Sequence, residues 1–169
     1  MEKSVLISIK PKWAKKISNG KKIVEIRKTK PKIQTPFKCY IYQSGKNLTK
    51  TVYGSELSKN GYVVGEFVCD EIIEDRIGEN ADIFMLQGCV SFEQLKKYCP
   101  KGILYGWHIS NLLIYDKPKE LNEFKRMNRT ENNVPCAHTK WLYEPCETCK
   151  ECNLKRPPLS WCYVEELPQ

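Results

Sequence analysis

The sequence is short of several things, and each shortage narrows its class. No run comes near the roughly 18 apolar residues of a membrane span, so no membrane partner is expected. Met1-Glu2-Lys3-Ser4 leads straight into a strand-like run with no secretory leader pattern, which makes the cytoplasm the expected setting. Only 2 of the 169 residues are histidine. No Ser-His-Asp set, phosphate loop or dinucleotide fingerprint is present, and there is no internal repeat or low-complexity tract. One domain over residues 1–169 is expected, long enough to bury a real core.

Acidic residues are scarce where basic ones crowd. From Met1 to Lys46 there are 13 Lys+Arg against 2 Asp+Glu, a net of +11, while the remainder carries a net of −3. A polyanion partner explains such asymmetry, because each phosphate contact releases counterions. A solubilising lysine surface is the bland alternative. Nucleic acid is favoured because the basic stretch coincides with the motif described next.

That motif is Gly20-Lys21-Lys22-Ile23-Val24-Glu25-Ile26-Arg27, or G-x-K-x-x-E-x-R. Gly20 suits a helix stop and a strand follows. Alternation sends Val24 and Ile26 to one face, the expected core, and Glu25 and Arg27 side by side to the other. A carboxylate paired with a guanidinium suits orienting Lys22 or Arg27, or accepting from the exocyclic amine of a base. A ligand-free salt bridge at the edge of the fold is the competing reading.

Around the motif, Ser4 to Ile9 reads as a strand, Pro11 as a first helical residue, and Lys12 to Asn19 as a helix with Trp13 and Ile17 on one side. Phe37 to Gln43 alternates as a third strand. Ser44 to Asn60 is polar and turn-rich. Tyr62 to Ile73 is the longest strand-like run, with Gly65 marking a bulge or close backbone approach. Ser91-Phe92-Glu93-Gln94 fits a capping box opening a helix to Tyr98. Ile103 to Tyr115 reads as a further strand, Pro118 to Phe124 as a helical turn or two, and Ser160 to Glu165 as a closing strand. Five or six β runs with few helices point to a small mixed barrel rather than a doubly wound sheet.

Cysteine is not scarce: there are nine. In a chain read as cytosolic they argue against a disulfide framework. Cys39 and Cys69 fall in apolar strands and read as small buried hydrophobes. Cys136-Ala-His138 and Cys146-Glu-Thr-Cys149-Lys-Glu-Cys152 have the spacing of metal ligands, since C-x-x-C offers two thiolates to one tetrahedral ion. The expectation is a closed, structural Zn²⁺ knuckle on Cys136, Cys146, Cys149 and Cys152, with His138 or Cys162 able to replace one ligand. It sits in a Cys-rich insertion over residues 126–156. A redox pair or buried thiols are the alternatives.

One ordered set of residues ties these pieces together: Ser8-Ile9-Lys10-Pro11, the Gly20–Arg27 motif, Val64-Gly65-Glu66-Phe67, Leu104-Tyr105-Gly106-Trp107-His108-Ile109, and Arg156-Pro157-Pro158-x-Ser160-Trp161-x-Tyr163-Val164-Glu165. Together they resemble the ASCH domain, a branch of the PUA-like superfamily, and the late elements resemble ASCH proteins of phages and Firmicutes prophages. The resemblance implies an α+β fold: a small PUA-like β-barrel of five to six mostly antiparallel strands flanked by short helices. It implies binding of RNA, or of a modified nucleoside or nucleotide, in a cleft between the first helix and the barrel. Some members are amidohydrolases on N4-acetylcytidine and another is a ribonuclease. In the amidohydrolases the motif lysine is catalytic, and Lys22 matches it. Glu25 stands where their catalytic threonine would be, and Glu93 is the nearest match to their downstream glutamate.

The expected contact residues are Ser8, Lys10, Trp13, Lys22, Glu25, Arg27, Trp161 and Tyr163, with Lys22 and Glu25 catalytic if the protein is an enzyme. The lysines and arginine would hold phosphate or base edges, and the aromatics would stack. Tyr42 is a weaker stacking candidate, and Trp107 is expected in the core. His108 reads as a satisfied structural histidine, with general acid–base work as the alternative. The functional expectation is therefore nucleic-acid binding. The alternatives are hydrolysis in the same cleft and a phage protein-interaction module.

Overall fold

In the computed structural model, the residues described are 2–45, 60–76, 81–100, 102–127 and 153–168. The first strand, β1 (Lys3–Ile9), is buried along nearly its whole length and lies mid-sheet. Pro11 opens α1 (Pro11–Ser18), and Ala14 and Ile17 form its buried side. The motif strand β2 (Val24–Arg27) follows, then β3 (Phe37–Gln43). Next come β4 (Val63–Cys69), β5 (Ile72–Asp75), α2 (Ala81–Gly88) and α3 (Phe92–Tyr98). The chain continues through β6 (Leu104–His108), β7 (Ser110–Lys119), a 3-10 turn (Leu121–Glu123) and β8 (Trp161–Glu165).

The mixed α+β class holds, in a fuller form than five or six strands. Among the described residues eight strands form two sheets, ordered β7-β4-β3-β1-β8 and β2-β6-β5, rather than one hydrogen-bonded ring. Pairing is antiparallel throughout, except that β1 and β3 run parallel. Between those two parallel strands the chain crosses over through α1 and β2, so the motif is carried away from the large sheet and into the small one. A core cluster including Ile7, Ile9, Ile17, Phe37, Phe67 and Trp107 unites residues of both sheets and α1. A second cluster, around Tyr40 and Phe124, joins β1, β3, β4 and β8 to the 3-10 turn. A third packs α2 and α3 on β2 and β6 through Phe84, Leu95, Val24 and Leu104.

Two apolar runs expected as single strands are each two. Tyr62–Ile73 divides into β4 and β5, and Ile103–Tyr115 into β6 and β7. In both, the chain leaves one sheet and enters the other over two residues or fewer, at the exposed pair Asp70-Glu71 and at Ile109, and apolar residues resume at once, so each run reads as continuous in sequence. Pro118 belongs to the end of β7, where its missing N–H is tolerated on an edge strand. Gly65 is a close approach: a Cβ there would stand 2.4 Å from the Leu113 carbonyl oxygen of β7. The capping box is complete, with the Ser91 side chain accepting from Gln94 N and the Gln94 side chain accepting from Ser91 N. Cys39 and Cys69 are fully buried in the first cluster, and burial pushes the Cys69 thiol up to about 12. Among the described residues no helix is long and apolar enough to cross a membrane.

The expected zinc ligands Cys136, His138, Cys146, Cys149 and Cys152 lie outside the described residues. Cys162 lies within them, on β8 against the second cluster, and burial raises its pKa.

Candidate functional site

The site begins at the end of α1. Gly20 takes a left-handed φ of +73°, which glycine adopts without a Cβ penalty. Its N–H donates to the Ile17 carbonyl at 2.9 Å, and Lys22 N donates to the Lys16 carbonyl at 2.9 Å. This reversal turns Lys22 inward, where it is only 3% exposed. Its Nζ donates to the Gly88 carbonyl at 2.8 Å. Gly88 is the last residue of α2, a helix end whose partial negative charge favours a cation. Lys22 Nζ also lies 3.4 Å from Glu25 Oε2 and 5.2 Å from the Trp13 ring centre. Burial lowers the Lys22 pKa, and the charge and hydrogen bond of Glu25 offset this only in part.

Alternation along β2 works as the pattern predicts, but its outcome is deeper burial than expected. Val24 and Ile26 pack in the third cluster, and Glu25 and Arg27 are buried as well, at 6% and 8% exposure. Glu25 Oε1 accepts from an Arg27 terminal nitrogen at 3.0 Å, so one carboxylate lies between two cations. The reading of an ion pair at the edge of the fold is thereby corrected: burial behind α2, α3 and residues 157–160 makes it an interior triad. Arg27 also donates to the Ser8 carbonyl at 2.7 Å and to Ser160 Oγ at 3.3 Å. Among the described residues its Nε has no hydrogen-bond partner.

The triad opens into a cleft of about 560 Å³, within the range of small-ligand sites. Lys10, Trp13 and Ser8 line it from the β1–α1 corner, and Lys22, Glu25 and Arg27 from the motif. Six of the eight expected contact residues thus converge. Trp161 and Tyr163 do not line it. Trp161 packs on Trp107 and Tyr163, with ring centres 6.0 and 5.4 Å away, and its indole N–H donates to Thr29 Oγ1 at 3.0 Å. The Tyr163 hydroxyl accepts from Lys32 N at 2.6 Å. Tyr42 and Trp107 are core, at 7% and 0% exposure. Ser8 lines the cleft, yet its Oγ is engaged in donating to the Pro158 carbonyl at 2.7 Å.

The far wall was not legible in the motifs. Val90, Gln94, Leu95 and Tyr98, from α3 and the residue before its cap, face Pro157–Ser160 across the opening. The capping box places Gln94, but no local signal says that α3 folds back onto β2. Glu93 is exposed on the first turn of α3 and does not line the cleft. His108 Nδ1 lies 2.7 Å from Asp70 Oδ1, outside the cleft; this hydrogen bond lowers the Asp70 pKa. A larger hollow, about 920 Å³, is lined by Gly61, Tyr62, Glu120–Asn122 and Asn153–Lys155, and holds none of the motif residues.

Chemically the cleft offers Lys10, Lys22 and Arg27 against one carboxylate, the aromatic side chains of Trp13 and Tyr98, and apolar lining from Val90, Leu95 and the proline pair. That combination suits a planar, polar, anionic ligand.

Solved structures of ASCH from Zymomonas mobilis share this fold. The unsubstituted protein superposes with a TM-score of 0.57 at 19% identity, covering 71% of this chain and 75% of its own. A Tyr→Phe variant gives 0.58 at 19%, covering 72% and 78%. A Ser→Ala variant gives 0.56 at 18%, covering 96% and 89%. The fold is therefore that of ASCH proteins. No protein-family model matches the chain, and no curated protein matches it.

Proposed function

We propose that this chain is an ASCH-type nucleic-acid-binding protein that takes one nucleotide unit, of RNA or of a modified nucleoside, into the cleft between α1, β2 and α3. One observation carries the reading: the buried Lys22–Glu25–Arg27 triad opens into a cavity of about 560 Å³ walled by Trp13 and Tyr98. Lys10 and the surrounding lysines attract phosphate, the aromatic walls hold a base by stacking, and Glu25 accepts from an exocyclic amine. The late motifs resemble those of phage and Firmicutes-prophage ASCH proteins, and a protein of that kind working in the cytoplasm is part of the same proposal. A structural Zn²⁺ on Cys136, Cys146, Cys149 and Cys152 belongs to the same proposal. Elemental analysis should find about one zinc per chain, lost in Cys149→Ser.

The test is binding of short RNAs and a panel of plain and modified nucleosides across a salt series. The expected result is RNA affinity that falls steeply with salt and weakens at least tenfold in Lys22→Ala. Retained affinity in that variant would remove the cleft assignment.

A second reading, hydrolysis, is favoured by the lowered pKa of Lys22, which makes a neutral amine more accessible than in an exposed lysine. Glu25 occupies the position of the amidohydrolases' threonine, so binding ranks first. Product formed from N4-acetylcytidine or RNA by the wild type, and abolished in Lys22→Ala, would reverse that order.

A further inference from the structure

Residues 157–160 form a strap across one side of the cleft, and its tip is unusual. Leu159 is fully exposed, at 106% relative exposure, while lining the mouth of the cavity. The residues on either side of it are tied down. The Pro158 carbonyl accepts from Ser8 Oγ at 2.7 Å, the Ser160 carbonyl accepts from Ser8 N at 2.9 Å, and Ser160 Oγ accepts from Arg27 at 3.3 Å. Pro157 and Pro158 stiffen the approach by fixing φ. The chain is thus anchored on both sides of Leu159, and its side chain projects into solvent at the cleft mouth. Immediately before the prolines stand Lys155 and Arg156, both exposed.

We infer that Leu159 is a wedge that enters the base stack of a nucleic-acid strand and fills the place of the nucleotide drawn into the cleft. This rests on the nucleic-acid reading above and adds that the ligand is a polymer. An apolar side chain rigidly presented beside cationic residues is the arrangement that inserts between bases while phosphates are held. The cavity admits one nucleotide-sized group, yet the positive charge extends well beyond it. Lys155 and Arg156 flank the strap, and residues 1–46 carry a net of +11. A free nucleotide would use neither the wedge nor the outlying charge.

The experiment compares wild type, Leu159→Ala and Leu159→Phe on two probes. One is a short single-stranded RNA carrying a 2-aminopurine, whose fluorescence rises on unstacking. The other is the set of four ribonucleoside monophosphates. A surface truncation leaves the unfolding midpoint unchanged, which serves as the folding control. Leu159→Ala should bind the RNA about fivefold or more weakly and lose most of the fluorescence rise, with monophosphate affinity within about twofold of wild type. Leu159→Phe should restore both RNA signals. Wild-type-like RNA binding and fluorescence in Leu159→Ala, or an equal loss on both probes, would overturn the wedge while leaving the cleft intact. Failure of the wild type to bind either probe would instead sink the nucleic-acid reading itself.

Discussion

Two charge clusters in this protein have opposite make-up and opposite surroundings. In the cleft, Lys22 and Arg27 enclose one carboxylate, with side chains 3–9% exposed. On the second cluster's side of the large sheet, Glu66 and Glu166 enclose one ammonium, that of Lys38, at 3.5 and 2.6 Å, with side chains 17–23% exposed. The outer cluster is completed by its neighbours. Tyr115 donates to Glu66, Ser4 Oγ donates to Glu166 at 3.3 Å, and the adjacent Leu167 N donates to the Tyr40 hydroxyl at 2.9 Å. It ties residue 166 to β1, β3, β4 and β7, and no ligand is needed to explain it. Each cluster has one unbalanced charge, but the outer carboxylates are met by the Tyr115 and Ser4 hydroxyls, whereas the inner cations lie beside an open cavity with Arg27 Nε unpartnered among the described residues. The difference separates an ion network that closes a fold from one that leaves charge for a ligand.

The largest difference between the two clusters should appear when the central partner of one and an outer partner of the other are removed. Glu25→Ala strands two buried cations and should cost about 3–5 kcal/mol in urea unfolding. Glu166→Ala, at a solvated pair, should cost about 1 kcal/mol or less. Equal losses would mean that depth does not distinguish the clusters.

A smaller effect, but one that differs in sign, comes from pH. The folded-state pKa of Lys22 lies below the ordinary lysine value of 10.5, chiefly through burial. Between that lowered value and 10.5 the unfolded chain holds a proton that the folded chain has lost, so the Lys22 contribution to stability grows with pH. For Lys38 burial acts in the same downward direction, but the Glu166 hydrogen bond and the Glu66 charge outweigh it and raise the pKa above 10.5. Its contribution is complete below 10.5 and is lost as pH climbs through the raised value. Unfolding free energies across the alkaline range should therefore show the gap between wild type and Lys22→Met moving toward greater wild-type advantage, and the gap to Lys38→Met shrinking. Gaps moving in the same direction would contradict the assigned environments.

The smallest expected effect is on binding. Lys10 is exposed at the mouth of the cleft, and Lys10→Ala should reduce the slope of log affinity against log salt by about 1 on RNA. Lys38→Ala, on the outer cluster, should leave that slope unchanged.

Much of the fold was legible where local chemistry decides the outcome. Pro11 and Gly20 bound α1, β3 falls on Phe37–Gln43, and Ser91 and Gln94 cap α3. The missed helix, α2, has the sequence ADIFMLQG, which is apolar on most sides and so shows no stripe; its Leu86 is 80% exposed. The cleft was half legible. Lys10, Trp13, Lys22, Glu25 and Arg27 come from one continuous basic stretch and lie together. Gln94, Tyr98 and Leu159 come from distant segments, and only tertiary packing brings them across. Trp161 and Tyr163 were misplaced relative to the cleft because they share a strand end with Ser160, which does line it. Along β8 their rings turn to Trp107 and to the residues after β2.

The strap has a kinetic consequence. Ser8 holds Pro158 across 150 residues of chain, and Arg27 reaches Ser160 across 133. Contacts of such sequence separation carry a high loop-closure cost and slow the folding of domains that depend on them. The cleft wall is complete only where the strap before the last strand meets the first, so a bound ligand reports a finished fold. Ligand binding should accordingly oppose unfolding of the whole domain and not of the basic segment alone.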